Sequence, residues 1–367
     1  MKQILPKASI GVILLISSFY LVIVILFILL FCTITSCSYE NKYQDETSFT
    51  LKDFTEQQSL VGSPVNFDDI ILRPNQIQIF DTLLITCNLG NERLFHIFNL
   101  KSKKKIGERI SVGQGPDEMI QPYFIYNQKD IIIFDMITSI VSKYSIEEFV
   151  NNPDPKAFEK IKIEEQVMSE INLLGNEMIG SLYRPEHPLY LFDKNGKKTK
   201  GFGAYPISNI TYSDVEIVEA YRSIFTTNQN DKVAVCHFWT DLIDIYSKEG
   251  NLLKRLHGPK HIFPHFKEYN NGNIVTAKAE RGTHQDAFYS PVNVGEDFFV
   301  LYNGKSLEEP EYNILSKQIF VFGWDGTPKQ VFSLDQGVSR IAVDSKNKKI
   351  YGISNDPEYH IIEFSYK

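Results

Sequence analysis

One unit recurs along this chain. A short strand-like run reaches an aromatic residue, meets a polar turn, and is followed by a second strand-like run. The copies are LFHIFNLKSKKKIGER (94–109), IVSKYSIEEF (140–149), LYLFDKNGKKTKGF (189–202), LIDIYSKEGNLLKRL (242–256), QIFVFGWDGTPKQVFSL (318–334) and a truncated HIIEFSYK (360–367). The aromatic anchors are Phe98, Tyr144, Phe192, Tyr246, Phe322 and Phe364, spaced by 46, 48, 54, 76 and 42 residues. Aromatic and β-branched residues dominate these runs and the ones before them, such as IQIFDTLLITCN, DIIIFDM, KVAVCHFW and KKIYGIS, which is the signature of strands. Asn195-Gly196, Glu249-Gly250 and Asp325-Gly326 supply hairpin turn chemistry. Beyond Lys52 no convincing amphipathic helix interrupts the pattern. The expectation is an all-β chain of roughly 20 or more strands.

Six copies at a period of mostly 40–55 residues point to a six-bladed β-propeller with four-stranded blades. A flat array of sheets would expose two apolar ends, whereas a ring covers them. The last copy ends at the C-terminus, so its outermost strand must come from the N-terminal side, and Ser48–Phe54 (SFTLKDF) is the candidate. The 76-residue gap implies a long insertion near 257–317, either a large loop or an elaborated blade. A seventh blade there, a sandwich pair and a β-helix are the competing architectures.

The start of the chain bears on location. Lys2 and Lys7 precede a run without charge from Ala8 to Ile34, and Ile34-Thr35-Ser36-Cys37 precedes a polar stretch. A basic start, an apolar run and small residues before a cleavage point describe an export signal. The segment resembles the bacterial lipoprotein signal, which implies that Cys37 is diacylated and becomes the first mature residue. The alternative is an uncleaved anchor, because about 20 apolar residues suffice to span a bilayer. Either reading places residues 38–367 outside the cytoplasm. The expected organisation is a signal or anchor over 1–36, a polar tether over 37–50 and the propeller over 51–367.

Val112-Gly113-Gln114-Gly115-Pro116-Asp117-Glu118-Met119, followed by Gln121-Pro122, and the closing IAVDSKNKKIYGISNDPEYHIIEF carry a family resemblance. The chain resembles the six-bladed propeller lipoproteins of Bacteroidetes-type bacteria, related in form to TolB-like and NHL-like propellers. The resemblance covers most of 45–367. It implies the fold and a cell-envelope location, and it brings no catalytic set.

Candidate chemistry is sparse. In GQGPDEM no G-K-[ST] follows and no dinucleotide fingerprint is completed. The segment reads as a structural turn in which Gly113 and Gly115 relax the backbone, Pro116 stiffens it and Glu118 bonds amides. His257, His261 and His265 are spaced by four, but Pro259 and Pro264 break any helix that would align them as metal ligands, so neither a metal nor another cofactor is expected. The insertion remains the favoured recognition surface, with His261, His265, Arg281, His284 and Asp286 as the candidate partner-binding residues. No G-x-S-x-G nucleophile elbow is present, and no catalytic residue is assigned. Paired carboxylates at the central channel are conceivable but nothing selects them. Net charge is −7 with 38 basic and 45 acidic residues, and the one basic run, Lys101–Lys105, reads as a solvated turn. Nucleic acid is therefore not an expected partner. Cys87 and Cys236 lie in strand-like runs and read as buried free thiols. Trp239 is expected to be buried between blades and Trp324 to be partly exposed.

The leading expectation is a non-enzymatic envelope lipoprotein. It is lipid-anchored to the outer membrane, facing the periplasm or the outside, and its propeller presents a binding or scaffold face to a protein, peptide or glycan. One alternative is a glycan- or lactone-directed hydrolase or lyase with its site in the central channel. The other is a sensor domain on a single-pass inner-membrane anchor.

Overall fold

A computed structural model describes residues 42–309 and 312–367. Six antiparallel sheets follow one another along the chain. Blade 1 is Pro74–Phe80, Leu83–Asn88, Arg93–Asn99 and Lys104–Ser111. Blade 2 is Pro122–Ile125, Asp130–Asp135, Ile140–Ser145 and Glu159–Lys162. Blade 3 is Ile171–Leu174, Glu177–Gly180, Leu189–Phe192 and Lys198–Phe202. Blade 4 is Ser223–Thr227, Lys232–His237, Leu242–Ser247 and Leu252–His257. Blade 5 is Phe288–Val294, Asp297–Tyr302, Ser316–Gly323 and Pro328–Val338. Blade 6 is Arg340–Asp344, Lys349–Ser354 and His360–Ser365. The first strand of each blade lies beside the first strands of its neighbours, and together they form the inner wall of the ring. Two short helices interrupt it, α1 (Ile146–Asn151) and α2 (Asp214–Ala220), capped by Ser145 and Ser213.

The six aromatic anchors occupy equivalent places. Each lies near the end of the third strand, opposite an apolar residue of the second: Leu84, Ile131, Met178, Val233, Phe298 and Ile350 in turn. All six are buried. In blades 1, 3, 4 and 5 the pairing with the fourth strand shifts register at this residue. A shift of this kind adds local twist to the outer edge. The repeat seen in the sequence is thus the third strand and its turn.

The core is divided among the blade interfaces. One apolar cluster joins each successive pair: Phe95 and Ile133 between blades 1 and 2, Phe134 and Met178 between 2 and 3, Leu191 and Val235 between 3 and 4. Ile243 and Phe298 join blades 4 and 5, Leu301 and Ile350 join 5 and 6, and Leu84 with Ile353 joins 6 back to 1. Every sheet therefore has both faces covered, which an open array cannot achieve.

Closure comes from the N-terminal side, but not through Ser48–Phe54. The strand that pairs antiparallel with the last strand of blade 6 is Gly62–Pro64, with Gly62 opposite Phe364 and Pro64 opposite Ile362. Ahead of it the chain runs along two other blades. Glu46–Ser48 pairs parallel to the outer strand of blade 4, and Glu56–Leu60 pairs parallel to the outer strand of blade 5. The expected closing strand includes a 3-10 turn, Leu51–Asp53. Its two phenylalanines are plugs rather than strand residues. Phe49 and Phe54 enter the cluster between blades 4 and 5, and Leu60 enters the next one. Residues 43–50, expected as tether, are thus packed on the ring from Tyr43 onward.

The expected insertion resolves into two loops flanking the first two strands of blade 5. One, 258–287, carries the hairpin Phe266–Asn270/Val275–Ala279, and the other is 303–315. Among the described residues there is no seventh blade. Cys87 and Cys236 are free, buried thiols in blades 1 and 4. The two tryptophans are the reverse of expectation. Trp324 is buried against Phe298 at 5.2 Å, whereas Trp239 is only half-buried beside the 258–287 loop.

Candidate functional site

Neighbouring strands in a blade are antiparallel, so their connections alternate between the two ends of the ring. The links from one blade to the next share an end with the loops between second and third strands. That end carries 258–287, 303–315, α2 and the GQGPDEM turn.

A cavity of about 200 Å³ lies on the ring axis, lined by all six first strands. Its polar side chains come from separate blades: Asn75 and Gln78 from blade 1, Tyr123 from blade 2, Glu170 and Asn172 from blade 3, and Arg340 from blade 6. Asn75, Glu170 and Arg340 stand where their strands begin, hence at the loop-bearing end. Burial in the channel pushes the Glu170 carboxyl up to about 7, against the opposing pull of the Arg340 charge. Gln78 is only 6% exposed, and neither its amide nitrogen nor its oxygen has a protein partner; Asn75 Oδ1 is also buried without one. Other polar groups of the wall are spent on joining blades. Gln76 Oε1 accepts from Phe124 N at 2.7 Å, Asn172 Nδ2 donates to the Phe225 carbonyl at 3.0 Å, and Ser290 Oγ accepts from Ile341 N at 3.1 Å. At the far end Gln229 donates to the Tyr126 carbonyl and accepts from Gly175 N, drawing the turns of blades 2, 3 and 4 together.

Glu170 is the one carboxylate in the lining of this cavity. Glycoside hydrolysis in its usual form uses two carboxyl groups flanking the bond, and this lining carries one. No group of three or more His, Cys, Asp or Glu among the described residues is placed to hold a metal ion.

The five candidate residues of the insertion do not converge. His261 is exposed, with its ring 5.0 Å from that of His257. His265 is half-buried, and its carbonyl accepts from Glu280 N. Arg281 has a side chain 99% exposed, 4.0 Å from Glu308. Only His284 and Asp286 meet, at 3.7 Å, with the His284 ring 4.3 Å from Trp239. Asp286 is buried and accepts from the Tyr312 hydroxyl. Its place inside the loop foot removes it from any partner-facing surface. The polar centre of this region is Asp241, which the sequence reading passed over. It accepts from the backbone amides of Lys260 (2.6 Å), His261 (3.0 Å) and Ile262 (2.6 Å) and lies 3.3 Å from His257 Nε2. His257 Nδ1 faces Glu46 at 2.9 Å. Burial disfavours the imidazolium, but the two carboxylates outweigh it and hold the His257 pKa above its usual value.

GQGPDEM forms a tight turn between blades 1 and 2. The Glu118 carboxylate accepts from Gly115 N at 2.8 Å, and Glu118 N donates to the Gly115 carbonyl at 3.1 Å. A Cβ on Gly113 would stand 2.0 Å from that carboxylate, so the first glycine makes room for the glutamate. Pro116 and Asp117 face blade 2, where Asp117 pairs with Lys156 and Lys160.

Residues 48–346 match the family described as TolB-like 6-blade propeller-like. The chain belongs to that family. A solved member of the duf4221 family from Bacteroides vulgatus is similar to this TolB-like propeller at a TM-score of 0.54 and 8% identity, covering 89% of this chain and 98% of that one. A putative exported protein from Bacteroides fragilis is similar at 0.46 and 11%, covering 87% and 99%. Hydrazine synthase from Kuenenia stuttgartiensis gives 0.42 and 12%, covering 80% and 77%. No curated protein matches the chain. These likenesses concern the fold.

Cys37 and the apolar run 8–34 lie outside the described residues. Among those described, no helix is long and apolar enough to cross a membrane.

Proposed function

We propose that this TolB-like propeller is a binding module of the cell envelope, lipid-anchored through Cys37, and that it holds a small polar ligand in its central channel. The observation that supports binding over catalysis is the channel's composition. A single carboxyl, a guanidinium and unpaired amides surround a small cavity, which offers recognition without an acid–base pair. The ring supplies rigidity, because each polar group is held by its own strand. His261, His265, Arg281 and His284 lie at the same end, on the 258–287 loop, where a larger protein, peptide or glycan partner would dock.

The test uses full-length protein extracted from membranes in detergent. Intact mass should show a mature chain beginning at Cys37 with added acyl mass, lost in Cys37→Ala. Calorimetric titration with a panel of small polar molecules of the envelope, single amino acids and monosaccharides among them, should then find a ligand whose binding is lost in Gln78→Leu and retained in Arg281→Ala. The reverse pattern would move the site to the loops, and turnover of the bound ligand would contradict a pure binding role.

A further inference from the structure

The channel's unpaired groups specify what it accepts. Gln78 Oε1 and Asn75 Oδ1 are buried acceptors and require donors, while Gln78 Nε2 is a buried donor and requires an acceptor. A hydroxyl group answers both needs. Arg340 donates to the Ser339 carbonyl at 2.8 Å, but a guanidinium has five donors in a planar fork matched to a carboxylate. Its acidic neighbour in the cavity, Glu170, is poised near neutrality rather than firmly ionised, so the positive charge lacks a committed counter-ion there. The volume of about 200 Å³ lies below the usual range for drug-sized ligands. It limits the occupant to one small molecule, and Tyr123 offers a ring to its carbon skeleton. We infer that the ligand is a small hydroxylated carboxylate of the sugar-acid class, with its carboxylate on Arg340 and its hydroxyls on Gln78 and Asn75. This inference rests on the channel being the binding site.

An anion beside Glu170 favours the protonated form of that residue, so binding takes up a proton and tightens as pH falls. The charged group that acts on Glu170 is Arg340, and the other titratable groups in the cavity wall are Tyr123 and Tyr126. The experiment is calorimetric titration of detergent-solubilised full-length protein with D-galacturonate, D-glucuronate and D-gluconate, and with D-galactose and D-glucose as neutral controls. At least one acid should bind about tenfold or more tightly than its neutral counterpart, with a similar loss in Arg340→Gln. Affinity should be higher at about pH 6 than at about pH 8, and Glu170→Gln should flatten that difference. An unchanged melting temperature in both variants excludes misfolding as the cause. Neutral sugars binding as tightly as the acids, with loss in Gln78→Leu, would overturn the acid assignment and leave the channel reading standing. Binding of neither class would overturn the sugar-acid assignment, whatever ligand the wider panel reveals. Binding untouched by Arg340→Gln and Gln78→Leu would overturn the assignment and the channel reading together.

Discussion

At the scale of single residues, the strongest polar contacts are structural. Arg255 Nε and Nη2 clamp the two oxygens of Asp244 at 2.7 and 2.8 Å, and both residues are buried. Arg255 Nη1 also donates to the Gln44 carbonyl, where the N-terminal segment first docks. Replacing one partner leaves an uncompensated charge in the interior, so Arg255→Met should cost about 3–5 kcal/mol in urea unfolding. The double replacement with Asp244→Leu should recover much of that loss. His257 makes a second prediction. Its pKa is raised on folding by Asp241 and Glu46, so its stabilisation is fully present below its unfolded value, about 6.5. That contribution is lost as pH rises through the higher folded value. The stability difference between wild type and His257→Gln should therefore shrink as pH climbs through neutrality, and a constant difference would show that the imidazolium is not what matters. Neither network was readable beforehand, because Asp244 and Arg255 meet only in the register of the blade 4 hairpin, and Gln44 and Glu46 reach Arg255 and His257 from 211 residues away.

Among elements, the third strands were legible and the closing strand was not. Phe98, Tyr144, Phe192, Tyr246, Phe322 and Phe364 repeat because each blade needs one large ring at the same place in its sheet. Phe192→Ala should accordingly cost about 3–5 kcal/mol, read by chemical unfolding. Gly62–Pro64 gave no such signal. An outer edge strand needs backbone bonds more than apolar side chains, and Gly62 fits because a Cβ there would lie 2.5 Å from Ile362 Cγ2 and 2.7 Å from Phe364 Cε1. Gly62→Val should destabilise by about 1–3 kcal/mol through overpacking of that seam, and a neutral result would mean that the closing strand does not hold the ring. Ser48–Phe54 misled because Phe49, Leu51 and Phe54 interspersed with polar residues imitate a half-buried strand. In fact Phe49 and Phe54 seal a blade interface from outside, while Leu51 remains exposed. The channel was hidden for a related reason. Asn75, Gln78, Glu170 and Arg340 are isolated polar residues at the ring's innermost positions, and only circular closure brings them to one axis.

For the whole molecule, the ring solves two problems with one geometry. It covers both faces of every sheet, and it gathers one wall strand from each blade around a cavity too small for a macromolecule but suited to a single small ligand. The N-terminal segment from Glu46 to Pro64 laces blades 4, 5 and 6 along their outer edges. The most direct test of the central claim is native mass spectrometry of the protein isolated from its own membranes, alongside Gln78→Leu and Arg340→Gln prepared identically. The wild type should carry a small-molecule adduct that both substitutions release. A wild type carrying no adduct, or an adduct kept equally by the two variants, would contradict it.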